Sequence, residues 1–332
     1  GTNWNTAISA GTFRDAFIIK LATATIGYDI GTGGNCLALD SDGNVWTWGE
    51  ATYGALGYGH PEAGTGVAYD TDTGTPFKLD YNNWFGGSPI QDIWTFSATA
   101  LATGRQGCFA IDNNGVIWAW GENHRFQLGV ADDVVRRPQP VFDTSKHGGL
   151  KKLIAAHGYY GYTLLLMMDG SLHVSGYRGD RGRLEIFLGG MATGADGNDE
   201  GTGFAEVSQM FYNIYRGQYP SYAAGSDIFA NVKNMWTTGT ENTFYGNIAW
   251  QTYDNDIFVT GDALATYPVT TGFGQHYTSP KTNEVNRFST SNHSDTFPSL
   301  SNWSSLNGQV EYLQWWGGYS TDSGDIGCAV MS

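Results

Sequence analysis

Cys36-Leu-Ala-Leu-Asp-Ser-Asp-Gly-Asn-Val-Trp-Thr-Trp-Gly49 returns seventy-two positions later as Cys108-Phe-Ala-Ile-Asp-Asn-Asn-Gly-Val-Ile-Trp-Ala-Trp-Gly121. The two stretches align along their whole length without a gap. A third copy runs Thr163-Leu-Leu-Leu-Met-Met-Asp-Gly-Ser-Leu-His-Val-Ser-Gly176, and a weaker fourth runs Ile248-Ala-Trp-Gln-Thr-Tyr-Asp-Asn-Asp-Ile-Phe-Val-Thr-Gly261. A fifth begins at Cys328-Ala-Val-Met-Ser332 and stops with the sequence. Self-similarity of this kind is the sequence signature of a repeat architecture.

Each complete copy reads as a β-hairpin. An apolar run meets an Asx-Gly pair at Gly43, Gly115 or Gly170, or Asp254-Asn255 in the fourth copy, and a second β-rich run follows. The pair predicts a two-residue type I′ turn, which needs positive φ at both central residues; Asn255 meets that need better than most non-glycine residues. In the second strand Trp46 and Trp48 share one face, and Trp118 and Trp120 repeat them, because side chains alternate along a strand. Each strand ends at a glycine: Gly49, Gly121, Gly176 and Gly261.

The unit extends both ways. Ile18-Ile-Lys-Leu-Ala, Ile90-Gln-Asp-Ile-Trp, Leu150-Lys-Lys-Leu-Ile, Val232-Lys-Asn-Met-Trp and Val310-Glu-Tyr-Leu-Gln precede the hairpins and read as an earlier strand of each sheet. Gly49-Glu-Ala-Thr-Tyr-Gly-Ala-Leu-Gly57 and Gly121-Glu-Asn-His-Arg-Phe-Gln-Leu-Gly129 add a shared loop. Strand, hairpin and loop repeating together resemble the regulator of chromosome condensation repeat family, with the best match from Ala110 to Gly129; the opening Gly1-Thr-Asn-Trp4 and Ile8-Ser-Ala-Gly11 look like the lead-in of its bacterial and phage members. The resemblance implies an all-β fold, a single β-propeller domain over 1–332, with four recognisable blades plus a partial fifth, out of a total of roughly five to seven. Residues 60–89, 178–230 and 263–307 read as long ordered insertions, since they are too aromatic for flexible linkers. The unfinished fifth unit would leave a sheet edge open. The segment Thr12–Lys20 is expected to supply the missing strands; donation by a neighbouring subunit and continuation past Ser332 are the alternatives.

Composition narrows the chemistry. The chain has 332 residues, 17 Lys+Arg against 32 Asp+Glu, and a formal net charge of −15. The balance argues against a dominant phosphate-binding surface, because phosphate affinity comes mainly from Lys and Arg, and leaves room for a local basic patch; no nucleic-acid partner is expected. No apolar run approaches the ~20 residues of a membrane helix, so no membrane insertion is expected. The sequence opens at Gly1 without a visible signal peptide. Cys36, Cys108 and Cys328 occupy one repeat position, where the other copies have Thr163 and Ile248. That pattern reads as a buried core thiol, not a disulfide or a metal ligand. The seven histidines show no zinc spacing, and His173, replacing a repeat tryptophan, is expected to pack in a blade. Asp40-Ser-Asp42-Gly-Asn44 resembles the start of a calcium loop, but the twelfth position is Ala51, not an acidic ligand. No nucleophile elbow or phosphate loop appears. No catalytic residue, metal or cofactor is assigned, and the chain is not expected to be an enzyme.

Aromatic clusters are the candidate binding residues. Phe211, Tyr212, Tyr215, Tyr219 and Tyr222 crowd one insertion; Trp84, Trp315 and Trp316 add to them. Exposed aromatics beside polar residues suit glycan stacking or protein interfaces. The leading expectation is an extracellular or virion structural and adhesive propeller, a phage tail or appendage component. It would contact other structural subunits, further copies of itself, or host-surface glycans and proteins. The alternatives are a regulator-type propeller that binds a small GTPase, as the family name implies, and a secreted propeller that inhibits another protein.

Overall fold

A computed structural model describes residues 17–23, 34–59, 72–97, 106–156, 161–177, 200–206, 232–239, 246–252, 256–261, 286–289, 312–317 and 326–331. The strands are β1 (Ile18–Thr23), β2 (Asn35–Asp40), β3 (Val45–Gly49), β4 (Thr73–Leu79), β5 (Ile90–Ser97), β6 (Gln106–Asp112), β7 (Val116–Glu122), β8 (Val134–Asp143), β9 (Leu150–Ala156), β10 (Tyr162–Met167), β11 (Leu172–Tyr177), β12 (Glu200–Glu206), β13 (Val232–Gly239), β14 (Gly246–Thr252), β15 (Asp256–Gly261), β16 (Asn286–Ser289), β17 (Tyr312–Gly317) and β18 (Ile326–Met331). They form four antiparallel sheets of four strands each, in the orders β1-β2-β3-β4, β5-β6-β7-β8, β9-β10-β11-β12 and β13-β14-β15-β16, and a two-stranded sheet β17-β18. First strands pack against first strands of neighbouring sheets: β1 on β5, β5 on β9, β9 on β13, β13 on β17. These are the blades of an all-β propeller.

The cross-strand register confirms that the copies are one module. Cys36 pairs with Trp48 and Thr23, and Cys108 with Trp120 and Thr95. Thr163 pairs with Ser175 and Ala155, and Ile248 with Thr260 and Thr237. Cys328 pairs with Trp315 at the same place in the last sheet. Cys36 and Cys108 are free thiols.

The turn differs from expectation. Gly43 (φ 83°) and Gly115 (φ 82°) are left-handed, but the residues before them are not. Gly43 N–H donates to Asp40 C=O at 3.0 Å and Asp40 N–H to Asn44 C=O at 3.0 Å. The hairpin is therefore a type I turn closed by a glycine bulge, a three-residue loop and not the two-residue I′ turn. The Asx side chain decides it. Asp40 Oδ1 accepts from Asp42 and Asn44 N–H at 3.1 and 2.8 Å, and Asp112 Oδ1 accepts from Asn114 and Val116 N–H at 2.9 Å each. The other carboxylate oxygen accepts the indole N–H of Trp46 (2.8 Å) or Trp118 (3.1 Å). Asp40 thus serves the turn and the tryptophan. The third copy changes both partners together, to Met167 and His173. Asn255 lies outside the described residues, although Gln251 and Ile257 pair across its turn.

The strand-end glycine is required by cross-strand approach. A Cβ on Gly49 would sit 2.2 Å from Gly34 O, on Gly121 2.3 Å from Gln106 O, and on Gly176 2.5 Å from Gly161 O.

The regions read as insertions each carry the outer strand of a blade. Residues 60–89 contain β4 and a short helix α1 (Tyr81–Trp84), 178–230 contain β12, and 263–307 contain β16. Ile18–Lys20, read as closing the ring, already belong to β1 of the first sheet; residues 12–16 lie outside the described residues.

Candidate binding site

Where the first two blades meet, buried polar side chains form one network. Asn35 Nδ2 donates to Ala55 C=O (3.1 Å) and to Cys108 Sγ (3.0 Å), its Oδ1 accepts from Thr95 Oγ1 (2.8 Å), and its N–H donates to Gln106 Oε1 (2.8 Å). Gln106 Nε2 donates to Glu50 at 3.3 Å. The fully buried Trp120 donates its indole N–H to Ala55 C=O at 3.1 Å. The Gly49–Gly57 loop of one blade is thereby locked into the next. The second loop does the same: Phe126 C=O accepts from Ser175 Oγ at 2.6 Å, and Ser175 occupies the position of Trp120. Burial pushes the Cys108 thiol up to about 12 and raises the Glu50 carboxyl. These groups are hydrogen-bonded and enclosed, and they hold the first two blades together.

In the first sheet Leu21 is 56% exposed, whereas its counterpart Ile93 in the second is fully buried. Ala55 of the loop lies against the second sheet, its C=O accepting from Cys108 Sγ and the Trp120 indole N–H.

The first strands carry the accessible chemistry. Register shifts fall between Ile18 and Lys20, Ile90 and Asp92, and Val232 and Asn234, and opposite the Leu150–Lys152 step. A bulge at the same place in four blades sets Lys20, Asp92, Lys152 and Asn234 at one register position, and bulges re-aim side chains. Lys20 and Asp92 form an ion pair between blades, with the Lys20 ammonium 4.9 Å from the Trp94 ring centroid. Beside them lies a cavity of about 1160 Å³, lined by Asp92, Trp94, Phe96, Lys152, Ile154 and Asn234 among others. Burial, with a smaller contribution from Lys20, lowers the Lys152 ammonium below its usual range.

A second cluster joins the second and third blades. His147 Nδ1 lies 2.9 Å from Asp169 Oδ2 and 3.2 Å from Ser171 Oγ, which also sits 3.1 Å from His173 Nε2. Phe142 stacks on His147 at 5.7 Å. Carboxylate and hydroxyl meet the same imidazole nitrogen, so this is not the relay of a nucleophilic triad, which uses opposite nitrogens. His173 packs in its blade, 5% exposed, and burial lowers its pKa.

Of the aromatic candidates, Trp84, Trp315 and Trp316 fall within the described residues. Phe211, Tyr212, Tyr215, Tyr219 and Tyr222 lie outside the described residues. Trp84 closes α1, half-buried, with the Arg137 guanidinium 5.0 Å above its ring and Phe77 edge-on at 6.1 Å. Trp315 and Trp316 are residues of β17, paired with Cys328 and Gly327. Among the described residues no cluster of three or more His, Cys, Asp or Glu could hold a metal ion, and no helix is long and apolar enough to cross a membrane.

No family model matches the chain. Among curated proteins it is 32% identical to the human E3 ubiquitin-protein ligase HERC2 over 106 residues, 32% of this chain and 2% of that protein. It is 28% identical to Protein RCC1 of Candida albicans over 126 residues, 37% of this chain and 25% of that protein. The chain carries RCC1-like repeats. It spans a quarter or less of the length of these curated relatives. Among solved structures, human WBSCR16 has a TM-score of 0.44 at 20% identity, covering 75% of this chain and 48% of that one. Prp20p of Saccharomyces cerevisiae, described with its binding properties to Gsp1p and histones, has 0.43 at 18% identity, covering 74% and 46%.

The RCC1 likeness overturns the leading functional expectation. The sequence relatives are a regulator and ubiquitin ligases, not tail or virion components. The expected partners, structural subunits and host-surface glycans, are not supported by these relatives either. Gly-, Thr- and Trp-rich composition with few charges does not distinguish an appendage protein from another all-β propeller.

Proposed function

We propose that this chain is a regulator-type β-propeller that acts by binding a small GTPase, without covalent chemistry of its own. The observation that carries this reading is the 126-residue likeness to Protein RCC1. Two features support it. The first three blades are locked to one another by buried hydrogen bonds, so their loops and first strands sit on a rigid frame, the usual setting for recognition surfaces. The net charge of −15 favours a protein partner over nucleic acid.

The test is a panel of small GTPases presented to the immobilised chain in nucleotide-free, GDP-bound and GTP-analogue-bound states, with release of a fluorescent GDP measured in parallel. Binding of at least one GTPase, tightest without nucleotide, is expected to accompany faster release, because a partner that prefers the empty state weakens nucleotide affinity reciprocally. Failure of every GTPase in every state to bind more tightly than about 100 μM would overturn the reading.

A further inference from the structure

Lys151 and Lys152 both line the cavity between the first strands, and Lys152 is without an anionic partner among the described residues. At the bulge position, Lys20 of the first blade is matched by Asp92 of the second. The third blade puts Lys152 at that position and the fourth Asn234. Asn234 Oδ1 already accepts from Met235 N–H at 2.9 Å, which leaves its amide nitrogen to donate. Both residues line the cavity, and so do the apolar surfaces of Trp94, Phe96, Ile154 and Met235.

We propose that this cavity is a carboxylate-binding site, in which Lys152 and Asn234 hold the carboxylate and the Trp94–Phe96 wall takes the ligand's apolar body. An ammonium deprived of water gains from an incoming anion through direct pairing, which restores the stabilisation of its charge that burial removes. A carboxylate fits better than a phosphate. The Lys20 charge is spent on Asp92, and no arginine with its bidentate fork lines the cavity. At about 1160 Å³ the space exceeds that of most small-molecule pockets, so a carboxylate carried on a partner's side chain enters as readily as a free one. The site stands whatever protein the propeller regulates.

The probes are phenylacetate, its neutral isostere phenylacetamide, and a short peptide containing Phe-Glu. Acylation of Lys152 by a limiting reagent is followed by peptide mapping, with the exposed Lys146 as internal reference. Phenylacetate is expected to slow acylation of Lys152 severalfold and leave Lys146 unchanged, while phenylacetamide has no effect. Protection should weaken as pH rises and Lys152 loses its proton, since a neutral amine cannot pair with the anion. In a thermal-shift assay Lys152→Met should abolish stabilisation by phenylacetate and Lys152→Arg should keep it. Stronger protection by the peptide assigns the site to an acidic side chain of a partner; protection by phenylacetate at equal or lower concentration assigns it to a free carboxylate. Equal protection by phenylacetate and phenylacetamide, or none by phenylacetate and the peptide, overturns the proposal. The acylation readout uses the unaltered protein, so it decides even if Lys152→Met does not fold.

Discussion

Asp112 is the most economical place to test the reading of the repeat. It is 2% exposed and accepts three hydrogen bonds: two turn amides on Oδ1, and the Trp118 indole on Oδ2. Asp112→Asn keeps one oxygen, which can still serve the Asn114 and Val116 amides. Its new NH₂ then faces the indole N–H, donor against donor. The loss is one hydrogen bond to a charged acceptor, about 1.5–3 kcal/mol, felt only while the indole is present. In a Trp118→Phe background the same substitution should cost roughly 1 kcal/mol or less. A double-mutant cycle in urea should therefore return a coupling of about 1.5–3 kcal/mol between the two positions. The local reporter is hydrogen exchange at the Val116 amide, which should quicken more in Asp112→Ala, where the turn loses its acceptor, than in Asp112→Asn. If Asp112→Asn is equally costly with Phe at 118, the carboxylate does not couple turn to tryptophan and the account of the module is wrong.

Other outcomes follow from the same geometry. Gly121→Ala should destabilise by about 2–6 kcal/mol, combining backbone strain at φ 109° with overpacking against Gln106 O, 2.3 Å from the new Cβ; a melt within about 0.5 kcal/mol of the parent refutes the strand pairing there. Trp120→Ala should cost about 3–5 kcal/mol, and a smaller loss would show that the Gly49–Gly57 loop is not anchored on that ring. Cys108, with its thiol pushed up to about 12 and fully buried, should resist iodoacetamide at pH 8 until urea unfolds the chain, whereas the less buried Cys36 reacts in the native protein. Native labelling of Cys108 would place the second blade's face in solvent. His173 is held below its usual pKa by burial, so the unfolded chain binds its proton first as pH falls. Stability should therefore drop as pH falls below about 6.5, and His173→Gln should flatten that slope relative to the parent; an unchanged difference between pH 7 and 5 contradicts the buried, neutral imidazole.

Several features of the site were visible only after pairing was known. The first strands were recognised as strands, but alternation alone reads Ile19 and Lys20 as facing opposite ways without a break. The shared bulge, which puts Lys20, Asp92, Lys152 and Asn234 in register, exists only relative to a partner strand. The turn followed a similar course. Asp-Gly announced a hairpin correctly, yet the choice between a two-residue and a three-residue loop rests on the carboxylate four residues before Asn44, which captures the turn amides. The outer strands β4, β12 and β16 escaped because Gly, Pro, Asn and Glu depress strand propensity, and edge strands are held by one neighbour more than by their own sequence.

The repeated apolar-Asp-Gly-Trp-Gly pattern, taken alone, determined that the chain builds copies of one antiparallel module. The physical constraints behind that pattern are local: an alternating face, a left-handed glycine, and a strand end with no room for a Cβ. Which cysteine is sealed, which lysine is left without a counter-charge, and which loop plugs which blade were decided only by tertiary packing. Those outcomes depend on residues of different blades meeting across interfaces, as Asn35 meets Cys108 and Lys20 meets Asp92, and burial and charge compensation are properties of such meetings, not of any one stretch of chain.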